Sequence, residues 1–128
     1  MAHIALVVGN YDEAIDFYVG RLGFELVKDT YQPEQDKRWV LVRPRGEGTT
    51  SILLARASSD HQARYISDQA GGRVFLFLST DDFQRDYAAY RAAGIEFVRE
   101  PKVADYGTVA VFKDLYGNLW DLVQFAPS

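Results

Sequence analysis

The chain contains no cysteine. Disulfides, thiol nucleophiles and thiolate metal sites are therefore excluded, and any metal must be held by His, carboxylate, amide or carbonyl groups. It also lacks the run of about eighteen apolar residues that a membrane-spanning helix needs. No basic, apolar, small-residue leader stands at its start, so the expected setting is cytoplasmic, with no membrane partner. A basic surplus is missing as well. Lys and Arg number 14 against 18 Asp and Glu, a formal net charge of -4, and the basic residues are dispersed. This argues against a nucleic-acid partner and leaves only a slight bias towards cationic ligands. There is no Ser, His and Asp arrangement, no phosphate loop and no zinc-binding helix motif.

What the chain does have is an internal echo. Gly23 to Asp29 reads GFELVKD, and Gly94 to Glu100 reads GIEFVRE, 71 residues later (94 − 23). At the same offset Asn10 falls on Asp81 and Glu13 on Gln84, so a capping residue followed three positions later by Glu or Gln precedes both helical stretches. A chain of 128 residues with 48% hydrophobic and 25% charged content suits one globular domain. Two half-domains sharing one core is the reading that joins these facts, because each copy alone is too short to bury a good core.

Taken in order, HIALVV at His3 to Val8 predicts a buried strand. Asn10 caps a helix over Tyr11 to Leu22, with Ala14, Ile15, Tyr18 and Leu22 on one face and Gly23 as the reversal. Phe24 to Asp29 alternates as a half-buried strand, and Tyr31 to Lys37 reads as a long polar loop. Trp39 to Arg43 and Thr50 to Ala55 are strands separated by a break at Pro44 to Gly48. Ser58 to Asp60 cap a linking helix over His61 to Gln69, which Gly71 and Gly72 end. The order then repeats: strand at Arg73 to Ser79, helix at Asp82 to Ala93, strand at Ile95 to Arg99, and loop at Pro101 to Tyr106. A hairpin of Thr108 to Lys113 and Leu119 to Phe125 closes the chain around DLYGN, where Gly117 and Asn118 suit the turn and Asp114 braces it.

The phrases HIALVV, YDEAIDFYVGRLGFELV and FKDLYGNLWDLV resemble the glyoxalase, bleomycin-resistance and ring-cleaving dioxygenase superfamily, also called vicinal oxygen chelate proteins. The resemblance covers almost the whole chain and is far more specific for fold than for reaction. It implies an α+β domain of two βαβββ modules whose curled mixed sheets pair around a cavity, often as a homodimer. Module one would span about 1–57, a linker helix about 58–72, and module two about 73–128.

That family takes metal ligands from the first and last strands of its modules, as His or Gln and as Glu. His3 and Asp121 match two of these positions, and are thereby candidates for metal ligation or for catalysis. The counterpart of His3 is Val74, or Phe75 if the register slips by one, and the counterpart of Asp121 is Ile52 or Leu53. None of these can donate electrons to a cation. Two of four positions survive, one with a shorter carboxylate, which is thin for a catalytic divalent metal. Structural roles compete: His3 bonded to nearby backbone, and Asp121 held by backbone N–H groups or an Arg. Trp39, Tyr106 and Trp120 are candidate ligand-binding walls, with core packing as the alternative. Arg43 and Arg56 bracket the first-module hairpin and suit an anionic substrate or a solvated strand edge. His61 beside Asp60 and Arg64 reads as a surface residue.

Three functions follow. The first is a bleomycin-resistance-like protein that binds a small organic molecule in the inter-module cavity, on the face carrying His3 and Asp121, without a full metal site. The second is a divalent-metal-dependent lyase, isomerase or thiol transferase of the glyoxalase or fosfomycin-resistance type. The third is a metal-free enzyme using Asp121 or His3 for acid/base chemistry. Ring cleavage is disfavoured because the second His that its iron requires is absent.

Overall fold

The computed structural model describes residues 1–46 and 50–127. The chain divides into two compact units, Met1–Gln69 and Ala70–Ser128, with the division inside the segment expected to link the modules. The first unit runs β1 (His3–Val8), α1 (Tyr11–Ile15, continuing as a π-helix over Asp16–Arg21), β2 (Glu25–Gln32), β3 (Lys37–Arg43), β4 (Ser51–Arg56) and the short α2 (Asp60–Ala63). The second runs β5 (Val74–Ser79), α3 (Phe83–Ala92), β6 (Phe97–Ala104), β7 (Gly107–Lys113) and β8 (Leu119–Phe125). Each unit carries one four-stranded mixed sheet, ordered β1-β4-β3-β2 and β5-β8-β7-β6. The first strand of each pairs in parallel with the last, and the remaining pairs are antiparallel. This is the expected α+β class, built from two βαβββ modules.

Pairing registers settle how the modules correspond. Ala5 sits opposite Leu53 on β4, while Phe77 sits opposite Asp121 on β8. Buried Leu6 and Leu54 in the first unit answer to buried Leu78 and Leu122 in the second. The counterpart of His3 is therefore Phe75, one residue beyond the simple 71 offset. The helix caps slip in the same way. Asn10 accepts from the Glu13 N–H, but in the second unit Asp82, and not the expected Asp81, accepts from Arg85. From cap to reversing glycine is thus 13 residues in the first unit (23 − 10) and 12 in the second (94 − 82). The π-helical turn, with Leu22 donating to the carbonyl of Phe17, fits the extra residue into the same length, as i→i+5 bonding does.

Several strand and helix limits depart from expectation. The loop expected at Tyr31 to Lys37 is a tight turn over 33–36, with β2 reaching Gln32 and β3 starting at Lys37, and the loop expected at Pro101 to Tyr106 is largely strand, with β6 reaching Ala104. Both β2 and β6 are outer strands of their sheets, exposed along nearly their whole length, so no apolar alternation marks them. For the same reason Leu26, expected on a buried face, is exposed. Pro101 is tolerated because β6 is an edge strand whose register shifts between Arg99 and Lys102. The linking helix is a single turn capped by Ser59, and turns follow it. Gln69 then ties this segment to β1, its side-chain amide donating to the carbonyl of Tyr65 at 2.7 Å and meeting Val7 at 3.5 Å. The break expected at Pro44 to Gly48 lies partly outside the described residues.

In the first unit Leu6, Val8, Val40, Val42, Ile52 and Leu54 are buried on the sheet face that packs on α1 with Ala14, Phe17 and Tyr18. Each such side chain contributes roughly 1.5–3 kcal/mol by leaving water. In the second, Phe112 stacks on Trp120 at 5.8 Å and meets Tyr90 of α3 edge-on. Asp114 closes the β7–β8 turn as expected, accepting from the N–H groups of Tyr116 and Asn118, the Asn118 amide and the Trp120 indole.

Asp36, just before β3, has φ of 49°, and Gly107, the first residue of β7, has φ of 149°. A Cβ on Gly107 would lie 2.1 Å from the Gln124 carbonyl oxygen. Gly107→Ala is expected to destabilise the protein by about 2–5 kcal/mol through combined backbone strain and overpacking. Gly20 is helical and a Cβ there meets nothing within 4 Å, so Gly20→Ala should raise stability by up to about 1 kcal/mol. Urea midpoints of the two variants check both; equal effects would contradict the assigned geometry.

Candidate functional site

The site begins with a tyrosine at the start of a helix. Asn10 caps α1, so Tyr11 is its first residue, and its ring turns in until only 6% of its surface is exposed. Its hydroxyl oxygen accepts from the Arg38 backbone N–H at 3.3 Å, joining α1 to β3. The guanidinium groups of Arg38 and Arg56 both lie 5.2 Å from the centre of that ring. Two cations on one aromatic ring gain from its quadrupole but repel each other. Arg38 is neutralised: it donates to Asp12 at 2.8 Å and, in bidentate fashion, to Asp29 at 3.0 and 2.7 Å. These bonds hold the Asp29 carboxyl below its ordinary range and push the Arg38 pKa further up. Arg56 donates instead to the backbone carbonyl of Asp36 at 3.0 Å. One oxygen of the Asp36 carboxylate accepts from the Tyr31 hydroxyl, also at 3.0 Å.

Around this cluster, at the ends of β1, β3 and β4, lies a cavity of about 400 Å³ lined wholly by residues of the first unit. Its apolar wall is Val7, Leu53, Leu54, Ala55 and the half-buried Trp39. Gln32, Gln35, Gln62 and Ser58 supply neutral hydrogen-bonding groups, and Lys37, Arg38 and Arg56 supply charge. Gln62 is fixed by accepting from both the N–H and the hydroxyl of Ser58, at 2.8 and 3.0 Å. The size, and the mixture of apolar wall with a few placed polar groups, are those of a small-molecule site.

The sequence candidates distribute as follows. Trp39 and Arg56 line this cavity; His3, Arg43, Tyr106, Trp120 and Asp121 do not. His3 is exposed on β1 opposite Ser51, its ring meeting Trp39 edge-on at 6.3 Å. Arg43 pairs with Glu25 across the β2–β3 ladder at 3.2 Å. Tyr106 is exposed in the β6–β7 turn, where its carbonyl accepts from Ala126. Trp120 is buried, stacked on Phe112 and donating to Asp114. His61 is exposed on α2 against Tyr65. Tyr11, Lys37, Arg38 and the three glutamines were not singled out from sequence. Only the polar composition of 31–37 hinted at some of them; nothing local marks a contact between Tyr11 and Arg38 across 27 positions.

Among the described residues neither unit supplies a good metal donor set. Beside His3, β4 contributes Ser51 and Leu53, and beside Asp121, β5 contributes Phe77. Among the described residues no group of three or more His, Asp or Glu is close enough to hold an ion. The donors these strands present thus do not fit a catalytic divalent cation within either unit. Asp121 lies in a cross-strand row with Arg99, Val111 and Phe77, and among the described residues its carboxylate accepts no hydrogen bond.

Comparison with known proteins agrees with the fold. A profile described as the Glyoxalase/Bleomycin resistance protein/Dioxygenase superfamily matches residues 1–122. An uncharacterized protein of Shewanella frigidimarina (strain NCIMB 400) is 66% identical over 97% of this chain and 92% of its own. Among solved structures, UcmS2 is 30% identical with a TM-score of 0.81, covering 96% of both chains. TnmS3, an antibiotic binding protein from Streptomyces sp. CB03234, is 31% identical with a TM-score of 0.76, covering 97% of this chain and 93% of its own.

Asp121 provides a test of the electrostatics. Loss of hydration raises its carboxyl pKa above the ordinary 3.8, while the Arg99 charge pulls the other way. Ionisation therefore costs the folded state more than the unfolded one. That penalty is absent below the unfolded pKa, appears as pH rises towards the folded pKa, and is fully present above it. Asp121→Asn is expected to raise the urea midpoint at pH 7, with the gain shrinking as pH falls towards 4. A lowered midpoint at pH 7 would contradict this.

Proposed function

Because the chain belongs to the Glyoxalase/Bleomycin resistance protein/Dioxygenase superfamily, we propose that it is a binding protein for a small ring-bearing organic molecule, held in the first-unit cavity without a full metal site. The observation that carries this reading is the cavity itself. Its volume is about 400 Å³, and it joins the Trp39 face and an aliphatic sheet wall to fixed amide, hydroxyl and guanidinium donors. Such a lining binds by burying apolar area and orients the ligand with a few directional bonds. An aromatic wall adds stacking, which favours planar rings over flexible chains. The likeness to TnmS3, an antibiotic binding protein, supports the same class of ligand. The weak donors beside His3 and Asp121, Ser51 and Leu53 for the one and Phe77 for the other, favour binding over metal-assisted catalysis.

A thermal-shift panel of aromatic natural products, followed by calorimetry on the hits, tests this. Trp39→Ala is expected to weaken a hit by about 1 kcal/mol or more, roughly fivefold, through lost stacking and burial. A chelator should leave the affinity unchanged. Binding abolished by the chelator and restored by Zn²⁺ or Mn²⁺, with Trp39→Ala silent, would replace this reading with the metal-dependent one through His3 and Asp121.

A further inference from the structure

The charged residues that line the cavity are all basic. Lys37, Arg38 and Arg56 contribute to its surface and, among the described residues, no Asp or Glu does, in a chain whose formal net charge is -4. The three cations are not equivalent. Arg38 is spent on Asp12 and Asp29. Arg56 is held over Tyr11 and bonded to a neutral carbonyl, so its position is fixed while its charge is left without a carboxylate partner among the described residues. Lys37 likewise makes no ion pair among the described residues. The Asp36 carboxylate accepts from the Tyr31 hydroxyl, and Asp36 is not part of the lining. A guanidinium pre-positioned in this way forms charge-assisted, directional bonds to a planar anion at little further entropic cost.

We propose that the cavity takes a flat, ring-bearing organic anion, with its carboxylate or phenolate oxygens on Arg56 and Lys37 and its rings against Trp39. This rests on the reading of the cavity as the ligand site, and goes beyond it in assigning the charge and the orientation of the ligand. The glutamines suit polar ring substituents, being neutral donors and acceptors.

Two probes of one skeleton test it: 2-naphthoate, an anion, and 2-naphthamide, its neutral analogue. They are titrated calorimetrically into the whole protein at low salt. The naphthoate is expected to bind about tenfold tighter or better, as a charge-assisted contact gives, and added NaCl should erode that preference by screening. Arg56→Gln should bring the two probes to within about twofold of each other by removing the main charge. Since Arg56 also packs on Tyr11, Lys37→Gln supplies a second variant that leaves that contact alone. There the preference should fall about threefold, as expected for loss of an exposed charge. Equal affinity for the two probes, or a preference that survives in both variants, overturns the anion assignment and leaves the cavity standing as a binding site. Absence of heat with either probe up to millimolar concentration overturns the binding-site reading as well.

Discussion

The packing of two guanidinium groups on the ring of Tyr11 is the contact on which the first unit's site depends. Remove the ring and the start of α1 loses its hydrogen bond to β3, and Arg38 and Arg56 lose the surface that places them. The arrangement is stable because the charges are treated unequally. Asp12 and Asp29 neutralise Arg38, so that what remains beside Arg56 is a ring, a carbonyl and the open cavity. A cation fixed by packing and left without a carboxylate raises the free energy of the empty site slightly and that of an anion-filled site not at all.

The same chain shows how duplicated modules diverge by one-residue steps. The extra residue in the first helix is taken up by a π-helical turn, so both modules still reverse at a glycine of positive φ, Gly23 and Gly94. The strand ends then remain in matching register, and side chains can change without moving the backbone. At the positions where the family carries metal donors, His3 is matched by Phe75 and Asp121 by Leu53. At the site described above the asymmetry runs the other way. Trp39 and Arg56 of the first unit correspond to Val109 and Gln124, and Gln124 serves to accept from the N–H of Phe83 at the start of α3. One copy has been given polar and aromatic groups, while the other uses the equivalent position as a helix cap.

Much of this architecture is legible in the residues. The GFELVKD and GIEFVRE pair gives the duplication, Asn10 gives a cap, and HIALVV and LWDLVQF give strands β1 and β8, each a member of a parallel pair, because their residues are largely apolar. What hides is what lies at the sheet edges. TYQ at the end of β2 and EPKVA in β6 expose both faces, so neither period nor composition distinguishes them from loops. The cavity hides for a related reason. Trp39 and Arg56 could be nominated as residue types, but the Tyr11 hub is a tertiary contact between a helix start and a strand 27 positions away, and no local pattern encodes it.

The ends of β1, β3 and β4 in the first unit are the proposed place for a ligand. Backbone amide shifts of the labelled protein, followed while 2-naphthoate is added, test this most directly. The perturbations should centre on Val7, Trp39, Ala55 and Arg56, and of the two indole N–H signals that of Trp39 should move while that of Trp120, bonded to Asp114, stays. Shifts centred instead on Phe77, Asp121 and Val123, with Trp39 and Arg56 still, would contradict it.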